Sequence, residues 1–445
     1  MQSSTIDKAG PRAWYAVGLL GALYIVAFLD RVILALLVEP IREQFNVSDT
    51  QISLLIGFNF ALFYALVGIP MGRLADRVNR RNLIILTSIV WASCTFFSGM
   101  ASAFWVLCLL RIGVAIGEAA LSPSVISMIG DLFPQSQRGR ATSIYMALGA
   151  LGATGGYMLG GQMVGAIGDV ESLMLPVVGS VQPWQAVFFA AAAPAAVLTL
   201  LIVLTLEEPK RIQHSSEDSH AISGAWLHRQ WRPLLLLFLA GAIGQIIVRG
   251  LVAWTPSYLH REFDWAISDA GISMGLITMI CGVGGMVIVP ALTEAWLRSG
   301  KADAPPLVLT AGMASGAVFT LIAAFAPTAD LFLTALGATM FVTMGTGVLI
   351  MVSIQLYAPA QTRGEFMAVC LLLTALIADG IGPSVVPVAA GLIGGEEAPL
   401  NLGFAVAAIA GPLGCIFALM ARPGLMTMGS KSAVPPHAAS PASAD

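Results

Sequence analysis

Gly72-Arg73-Leu74-Ala75-Asp76-Arg77-Val78-Asn79-Arg80-Arg81 sets four arginines and an aspartate between two apolar runs, at about 52–73 and 82–103. Each run has the ~20 mostly apolar residues that a helix needs to cross a bilayer. The charged segment therefore reads as a tight turn joining two membrane helices. Outward from it, runs of similar length recur at about 14–38, 104–130, 141–167, 184–206, 232–258, 268–294, 306–326, 329–353, 364–392 and 400–421. That makes twelve candidate spans. Their length, without strict alternation, favours helices over the ~10-residue strands of a membrane barrel.

Of the 445 residues, 57% are hydrophobic and only 11% are charged, with a mean hydropathy of +0.84. A soluble domain carries about 25% charged residues. A soluble enzyme, a disordered regulator and a nucleic-acid binder are thereby excluded, which leaves an integral membrane protein. The five cysteines (Cys94, Cys108, Cys281, Cys370, Cys415) are odd in number, lie in apolar runs and form no C-x-x-C. They suit neither a disulfide framework nor a metal site. The first run is longer than the apolar core of a signal peptide and no small-residue cleavage site follows it, so it is expected to stay as the first span.

Residues 207–220, from Glu207 to His220, form the most polar stretch of the chain and follow the sixth span. They divide it into an N-terminal six-helix bundle (1–206), a linker (207–231) and a C-terminal six-helix bundle (232–421). The Pro/Ala/Ser-rich residues 422–445 are expected to form a disordered tail. Seventeen of the 22 Lys and Arg fall in the tails and in loops after even-numbered spans; only Arg42 and Arg261 fall in loops after odd-numbered ones. Positive residues favour the cytoplasm, so both termini and the linker are expected there, in an inner or plasma membrane. Pro134-x-x-x-Arg138-Gly139 before span five returns as Pro359-x-x-x-Arg363-Gly364 before span eleven, a trace of duplication.

The segment 72–81 resembles the G-x-L-A-D-R-x-G-R-R loop between helices two and three of the major facilitator superfamily. The resemblance implies a conformational latch in which Gly72, Asp76, Arg77, Arg80, Arg81 and Arg138 hold neighbouring helix ends on the cytoplasmic side. Gly72 would let helices approach, and Asp76 would hold a helix N-terminus or an arginine. The basic cluster would also anchor at anionic headgroups. Asn79 stands where the family has its second glycine, with a left-handed turn expected there. Span five carries glycines at 149, 152, 155, 156, 160 and 161, which ordinary close packing explains as well as an antiporter motif does.

Phe28-Leu29-Asp30-Arg31 in span one, Arg111-x-Gly113-x-x-x-Gly117-Glu118-Ala119 in span four and Asp131-Leu132-Phe133 before span five resemble the spinster branch of that superfamily. The likeness covers residues 20–165 best. Eukaryotic members of the branch move lysophospholipids or sphingosine 1-phosphate, so the resemblance implies an amphipathic, lipid-like substrate. One fold serves many substrates, and the resemblance alone does not name one.

Six ionisable groups fall inside spans: Asp30, Arg31, Arg111, Glu118, Arg249 and Asp379. Each costs at least ~2.5 kcal/mol at mid-helix, so such groups usually mark function. At ~1.5 Å per residue, Asp30, Arg31 and Arg111 lie at one depth, and Glu118 lies near the midplane on the same helix face as Arg111. Equal depth favours an Asp30–Arg111 pair, which would leave Glu118 the least neutralised. Desolvation would then favour its protonated form and suit it to carry protons; the alternative is a purely structural charge network. All five histidines fall in predicted loops or the tail, so carboxylates are the expected proton carriers. Arg249, with Gln245 one turn earlier, is expected either to bind an anionic headgroup or to cap carbonyls. Asp379 is weighted toward a structural role.

The fold expected is all-α, an integral membrane protein of twelve transmembrane helices in two six-helix bundles around a central cavity. The function expected is secondary active transport, coupled to protons, of an amphipathic organic anion by alternating access. A sugar or small-organic-anion symporter is the first alternative; Glu207-Glu208-Pro209-Lys210-Arg211 loosely resembles a sugar-porter signature. A membrane enzyme or receptor without a transport cycle is the second. No P-loop sequence is present, and no enzyme, cofactor or metal is expected. Expected partners are the substrate, protons and membrane lipids, with no nucleic acid, and a monomeric state.

Overall fold

The computed structural model describes residues 9–168, 173–175, 179–211, 224–301, 303–358, 363–395 and 398–432. Twelve long helices run through them: α1 (Pro11–Leu36), α2 (Asp49–Ala75), α3 (Arg80–Ser98), α4 (Phe104–Leu132), α5 (Gln135–Gly168), α6 (Pro183–Thr205), α7 (Trp231–Phe263), α8 (Ile267–Arg298), α9 (Ala304–Ala324), α10 (Ala329–Tyr357), α11 (Phe366–Gly394) and α12 (Leu400–Thr427). Eleven are long and apolar enough to cross a membrane. The other, α5, is 34 residues long, and its six glycines between 149 and 161 dilute its hydropathy. Two short strands, β1 (Leu173–Leu175) and β2 (Gly179–Val181), pair antiparallel between α5 and α6.

Helix ends follow local chemistry. Ser48 and Gln51 form a reciprocal capping box at the start of α2, which satisfies two otherwise unpaired N–H groups. Thr328 caps α10, and prolines begin α6 and α9, where their missing N–H costs nothing. Asn79 caps α3 with its side chain accepting from the Asn82 N–H, at φ −65°. The left-handed turn expected at Asn79 is therefore absent; capping, not backbone freedom, is what Asn supplies in place of glycine. Wider π-helical turns interrupt α2 at Leu54–Phe58, α8 at Thr278–Gly282 and α11 at Thr374–Ile381. α4 loosens at Ala119 and Ala120, between its segments Phe104–Glu118 and Leu121–Leu132. Pro123, with no N–H, leaves the Ala119 carbonyl without its helical donor.

α1–α6 and α7–α12 form two six-helix bundles. The end that holds the start of α1, the end of α12 and the residue 207–211 segment is the basic end, and the opposite one the far end. Toward the far end a single apolar cluster joins both halves, with Ile33, Leu36, Ile52, Trp184, Trp254, Tyr258, Phe332 and Phe404 among its members. Toward the basic end the core splits into one cluster per half, around Leu20, Trp91 and Tyr145 in the first and Phe238, Ile354 and Leu425 in the second. The two halves thus share one apolar cluster toward the far end, whereas toward the basic end each half has its own.

Gly149, Gly152, Gly160 and Gly161 of α5 allow close packing. A Cβ at Gly152 would lie 2.7 Å from the Ile25 Cα of α1, and one at Gly161 would lie 2.8 Å from the Ser268 carbonyl oxygen of α8. α5 thus touches its own half on one face and the other half on the next. Duplication is visible at the basic end: Arg138 Nε donates to the Phe133 carbonyl at 3.0 Å, and Arg363 Nε to the Ala358 carbonyl at 3.1 Å. Each arginine caps the helix five residues before it. Pro359 of the repeat lies outside the described residues.

Two expected boundaries shift. The helix that contains α7 begins at Gly224, inside the segment assigned to the linker, and that of α12 continues to Ser432, inside the segment assigned to the tail. Residues 212–223 and 433–445 lie outside the described residues.

Candidate functional site

The charges of the first half meet where α1, α3 and α4 face one another. Arg111 Nη1 donates to Asp30 Oδ2 at 2.8 Å, and Thr95 Oγ1 of α3 donates to Asp30 Oδ1 at 2.9 Å. Asp30, Arg111 and Glu118 are 1–2% exposed. An ion pair so buried survives only when both partners are present and hydrogen bonded, because either charge alone would face the full desolvation cost.

Arg31, next in sequence to Asp30, points to a different partner. Its Nε and Nη2 both lie 2.6 Å from Glu118 Oε2. The expectation of a carboxylate without a fixed counter-ion is corrected here. One helical residue turns a side chain by about 100°, so neighbours at the same depth serve different partners. Glu118 Oε1 is buried and has no hydrogen-bond partner among the described residues. The Arg31 side chain keeps 26% exposure, with its Cζ 5.1, 4.6 and 4.8 Å from the ring centres of Phe28, Phe60 and Tyr64. A guanidinium among ring faces gains ~0.5–2 kcal/mol per favourable contact. Tyr24 stacks on Tyr145 with centroids 4.7 Å apart, beside Ser122. Thr95 and this aromatic wall are the parts that sequence reasoning missed; Phe60 and Tyr64 lie one helical turn apart in α2, which is also ordinary core spacing.

In the second half, Arg249 Nε of α7 lies 2.7 Å from Asp379 Oδ1 of α11, and both side chains are about two-fifths exposed. Asp379 is therefore the counter-ion of Arg249 rather than a separate support of its own helix. It sits in the π-helical turn of α11, whose backbone approaches α2: a Cβ at Gly57 would meet the carbonyl oxygens of Asp379 and Gly380 at 3.0 Å. Gln245 does not join Arg249. Its amide is buried and donates to the Thr343 carbonyl of α10 at 2.7 Å. The three intramembrane arginines and three intramembrane carboxylates thus form three pairs.

The expected latch is built differently from its motif. Arg80, 1% exposed, donates from Nε to Glu208 Oε1 at 2.8 Å and from Nη1 to Asp131 and to the Ser127 carbonyl. The other Glu208 oxygen accepts the Arg81 backbone N–H at 2.7 Å, which caps the N-terminus of α3. Arg81 Nη2 donates to the Val203 carbonyl, and Arg211 Nη2 to those of Ala75 and Val78. In this state Glu208, and not Asp76, meets the start of α3, and Glu208, Pro209 and Arg211 of the sugar-porter-like segment tie the end of α2 and the start of α3 to the segment after α6. Asp76 and Arg77 are exposed and make no side-chain hydrogen bond or ion pair among the described residues. Gly72 has open space where a Cβ would stand, so no helix approaches it in this state. Arg138 caps Phe133, as described, and does not meet Asp76.

A carboxyl group with one free oxygen, beside an arginine that can reach solvent, can gain or lose a proton and change the charge of the cavity wall by one. Among the described residues no group of three or more His, Cys, Asp or Glu is placed to hold a metal.

The model of the Major Facilitator Superfamily matches residues 20–378. An MFS-type efflux pump of Mycolicibacterium smegmatis is 28% identical over 65% of this chain and 64% of its own. A probable L-galactonate transporter of Escherichia coli is 26% identical over 71% of this chain and 70% of its own. Protein spinster homolog 1 of Xenopus laevis is 27% identical over 68% of this chain and 58% of its own. The chain spans just under two thirds of the mycobacterial pump and less of the frog protein. A bacterial homolog of the human lysosomal transporter Spinster, solved inward-facing and unoccupied, superposes with a TM-score of 0.78 at 23% identity, over 96% of this chain and 99% of its own. That likeness shows the fold, two bundles of six. Spinster proteins are among its sequence relatives, and the chain belongs to the Major Facilitator Superfamily.

Proposed function

We propose that the protein is a proton-coupled secondary transporter that moves an amphipathic organic anion by alternating access. The observation that carries the reading is the Glu118 carboxyl group: buried, with one oxygen on Arg31 and the other without a hydrogen-bond partner. With Glu118 ionised, the cavity pairs balance. When Glu118 takes a proton, Arg31 loses its counter-charge and the cavity gains one positive charge beside an aromatic wall. An anionic headgroup restores the balance, while the rings and apolar walls receive the rest of an amphiphile. Arg249, whose pair with Asp379 is the most exposed of the three, offers a second place where a substrate anion can displace a carboxylate.

With the basic end taken as cytoplasmic, the apolar cluster shared by both halves at the far end supports an inward-facing reading of this arrangement. Closure of the basic end and separation at the far end would complete the cycle, as for the two-repeat transporters that rock around a central site.

The test is flux into liposomes containing the purified protein. A pH gradient drives uptake of a lysophospholipid by the native chain, and the Glu118→Gln protein loses that dependence. Gradient-dependent flux that persists undiminished in Glu118→Gln would overturn the assignment. A small organic anion is the second reading, favoured by the similarity to a probable L-galactonate transporter. Competition by a sugar acid but not by lysolipid would select it.

A further inference from the structure

Arg42 and Arg261 are the two basic residues that break the charge asymmetry of the loops, and the fold brings them to one place at the far end. Arg261, in the last turn of the helix that contains α7, donates from Nη1 to Asp49 Oδ2 at 2.6 Å and from Nη2 to Asp49 Oδ1 at 2.8 Å. Its Nε also donates to Glu39 Oε1 at 2.9 Å. Asp49 opens α2, and Glu39 opens the short helix Val38–Phe45 that follows α1. Arg42 stands behind the two carboxylates, 3.6 Å from Glu39 and 3.9 Å from Asp49.

Arg261 belongs to the second half, whereas Glu39 and Asp49 belong to the first. Every other ion pair among the described residues joins groups of one half: Arg12–Glu207, Arg31–Glu118, Arg80–Asp131, Arg80–Glu208, Arg111–Asp30 and the two Arg42 pairs in the first, and Arg249–Asp379, Arg298–Glu294 and Arg422–Asp303 in the second. The apolar seal around Arg261 is shared by both halves, with Leu36, Val38, Ile41, Ile52, Tyr258 and Leu259 in one cluster.

We infer that Arg261 is the far-end gate: the ionic tie that holds the two halves together in the inward-facing state and that must part in each cycle. The geometry suits a gate better than a permanent clamp. A forked guanidinium–carboxylate contact is directional, so it is lost once the halves rotate by more than a hydrogen-bond length. Arg261 keeps 25% exposure, so water can take over its hydrogen bonds as the tie parts. Arg42 then offsets one of the two negative charges that Arg261 leaves behind, which lowers the cost of separation on the first half.

The inference rests on the alternating-access reading, and its test reads conformation rather than transport. Spin labels at Met100→Cys and Pro327→Cys, at the far ends of the two halves, report the width of the far-end mouth in lipid nanodiscs, with the five native cysteines replaced. Arg261→Ala should raise the ratio of wide to narrow distances about tenfold, which corresponds to ~1.4 kcal/mol. Arg261→Asp combined with Asp49→Arg should restore the native distribution, which shows that the charged contact matters and not the fold alone. An unchanged distribution in a folded Arg261→Ala protein overturns the gate and leaves the transport reading intact. A native chain without gradient-driven flux overturns that reading, while the distance change in Arg261→Ala still stands as evidence for the tie.

Discussion

Arg31 Nε and Nη2 both converge on one oxygen of Glu118, each at 2.6 Å, while the other oxygen of that carboxyl has no hydrogen-bond partner among the described residues. Asp30, one residue earlier, is fully bonded to Arg111 and Thr95. Of these two adjacent residues of α1, Asp30 thus has a carboxylate bonded through both oxygens, and Arg31 meets one, that of Glu118, bonded through a single oxygen. Proton exchange at Glu118 would break no hydrogen bond to its free oxygen, so on the proposed reading Glu118 is the carboxyl that exchanges protons and Asp30 the one that does not.

Asp30→Asn should therefore act on stability before it acts on coupling. It leaves the Arg111 guanidinium buried without its counter-ion, a loss of ~3–5 kcal/mol read as a lower melting temperature in detergent. The double variant Asp30→Asn with Arg111→Gln should recover much of that loss. Equal damage in the single and double variants would show that the pair is not the cause.

Removing the aromatic wall tests Arg31 itself. Phe60→Leu together with Tyr64→Leu keeps the apolar volume but removes two ring faces near the guanidinium. Substrate KM should rise several-fold with little change in melting temperature. A falling melting temperature with unchanged KM would assign the rings to packing alone.

The second cavity pair gives opposed outcomes for its two members. Asp379→Asn frees Arg249 for a substrate anion and should lower KM for an anionic amphiphile, whereas Arg249→Gln should raise it. If both variants shift KM in the same direction, Arg249 does not receive the headgroup.

At the basic end, Arg80→Ala should destabilise the chain by ~3 kcal/mol or more, since it leaves Asp131 and Glu208 without the guanidinium that bridges them. Asp76→Asn, at an exposed side chain with no partner in this state, should fall within ±0.5 kcal/mol. Thermal unfolding of the two proteins side by side decides whether the brace runs through Arg80 or through Asp76.

Element type and number were legible because a bilayer demands long apolar runs, and twelve such runs stand out in the chain. Span five was readable by its length and misjudged by hydropathy alone, since Gly149, Gly152, Gly160 and Gly161 serve close contact rather than apolarity. The Asp30–Arg111 pairing followed from depth, a coordinate that helix rise supplies directly. Azimuth did not follow: which of Asp30 and Arg31 faces Glu118 depends on how α1 is rotated against α4, and no residue spacing encodes it. For the same reason Gln245 turned out to bond α10, and Asp379 turned out to answer Arg249 across two helices. The motif at 72–81 identified the loop, yet its holding carboxylate, Glu208, lies more than a hundred residues away.

The braces at the basic end also bear on how the chain is made. Arg80 at the start of α3 meets Glu208 just after α6, and Asp303 before α9 meets Arg422 in the helix of α12. Each brace closes only once the last helix of its own half has emerged, so each half can lock as a unit during synthesis. The signs are reversed between the halves. If the end of the twelfth helix docked on the third by mistake, Arg422 would face Arg80, and like charges would reject the misassembled bundle.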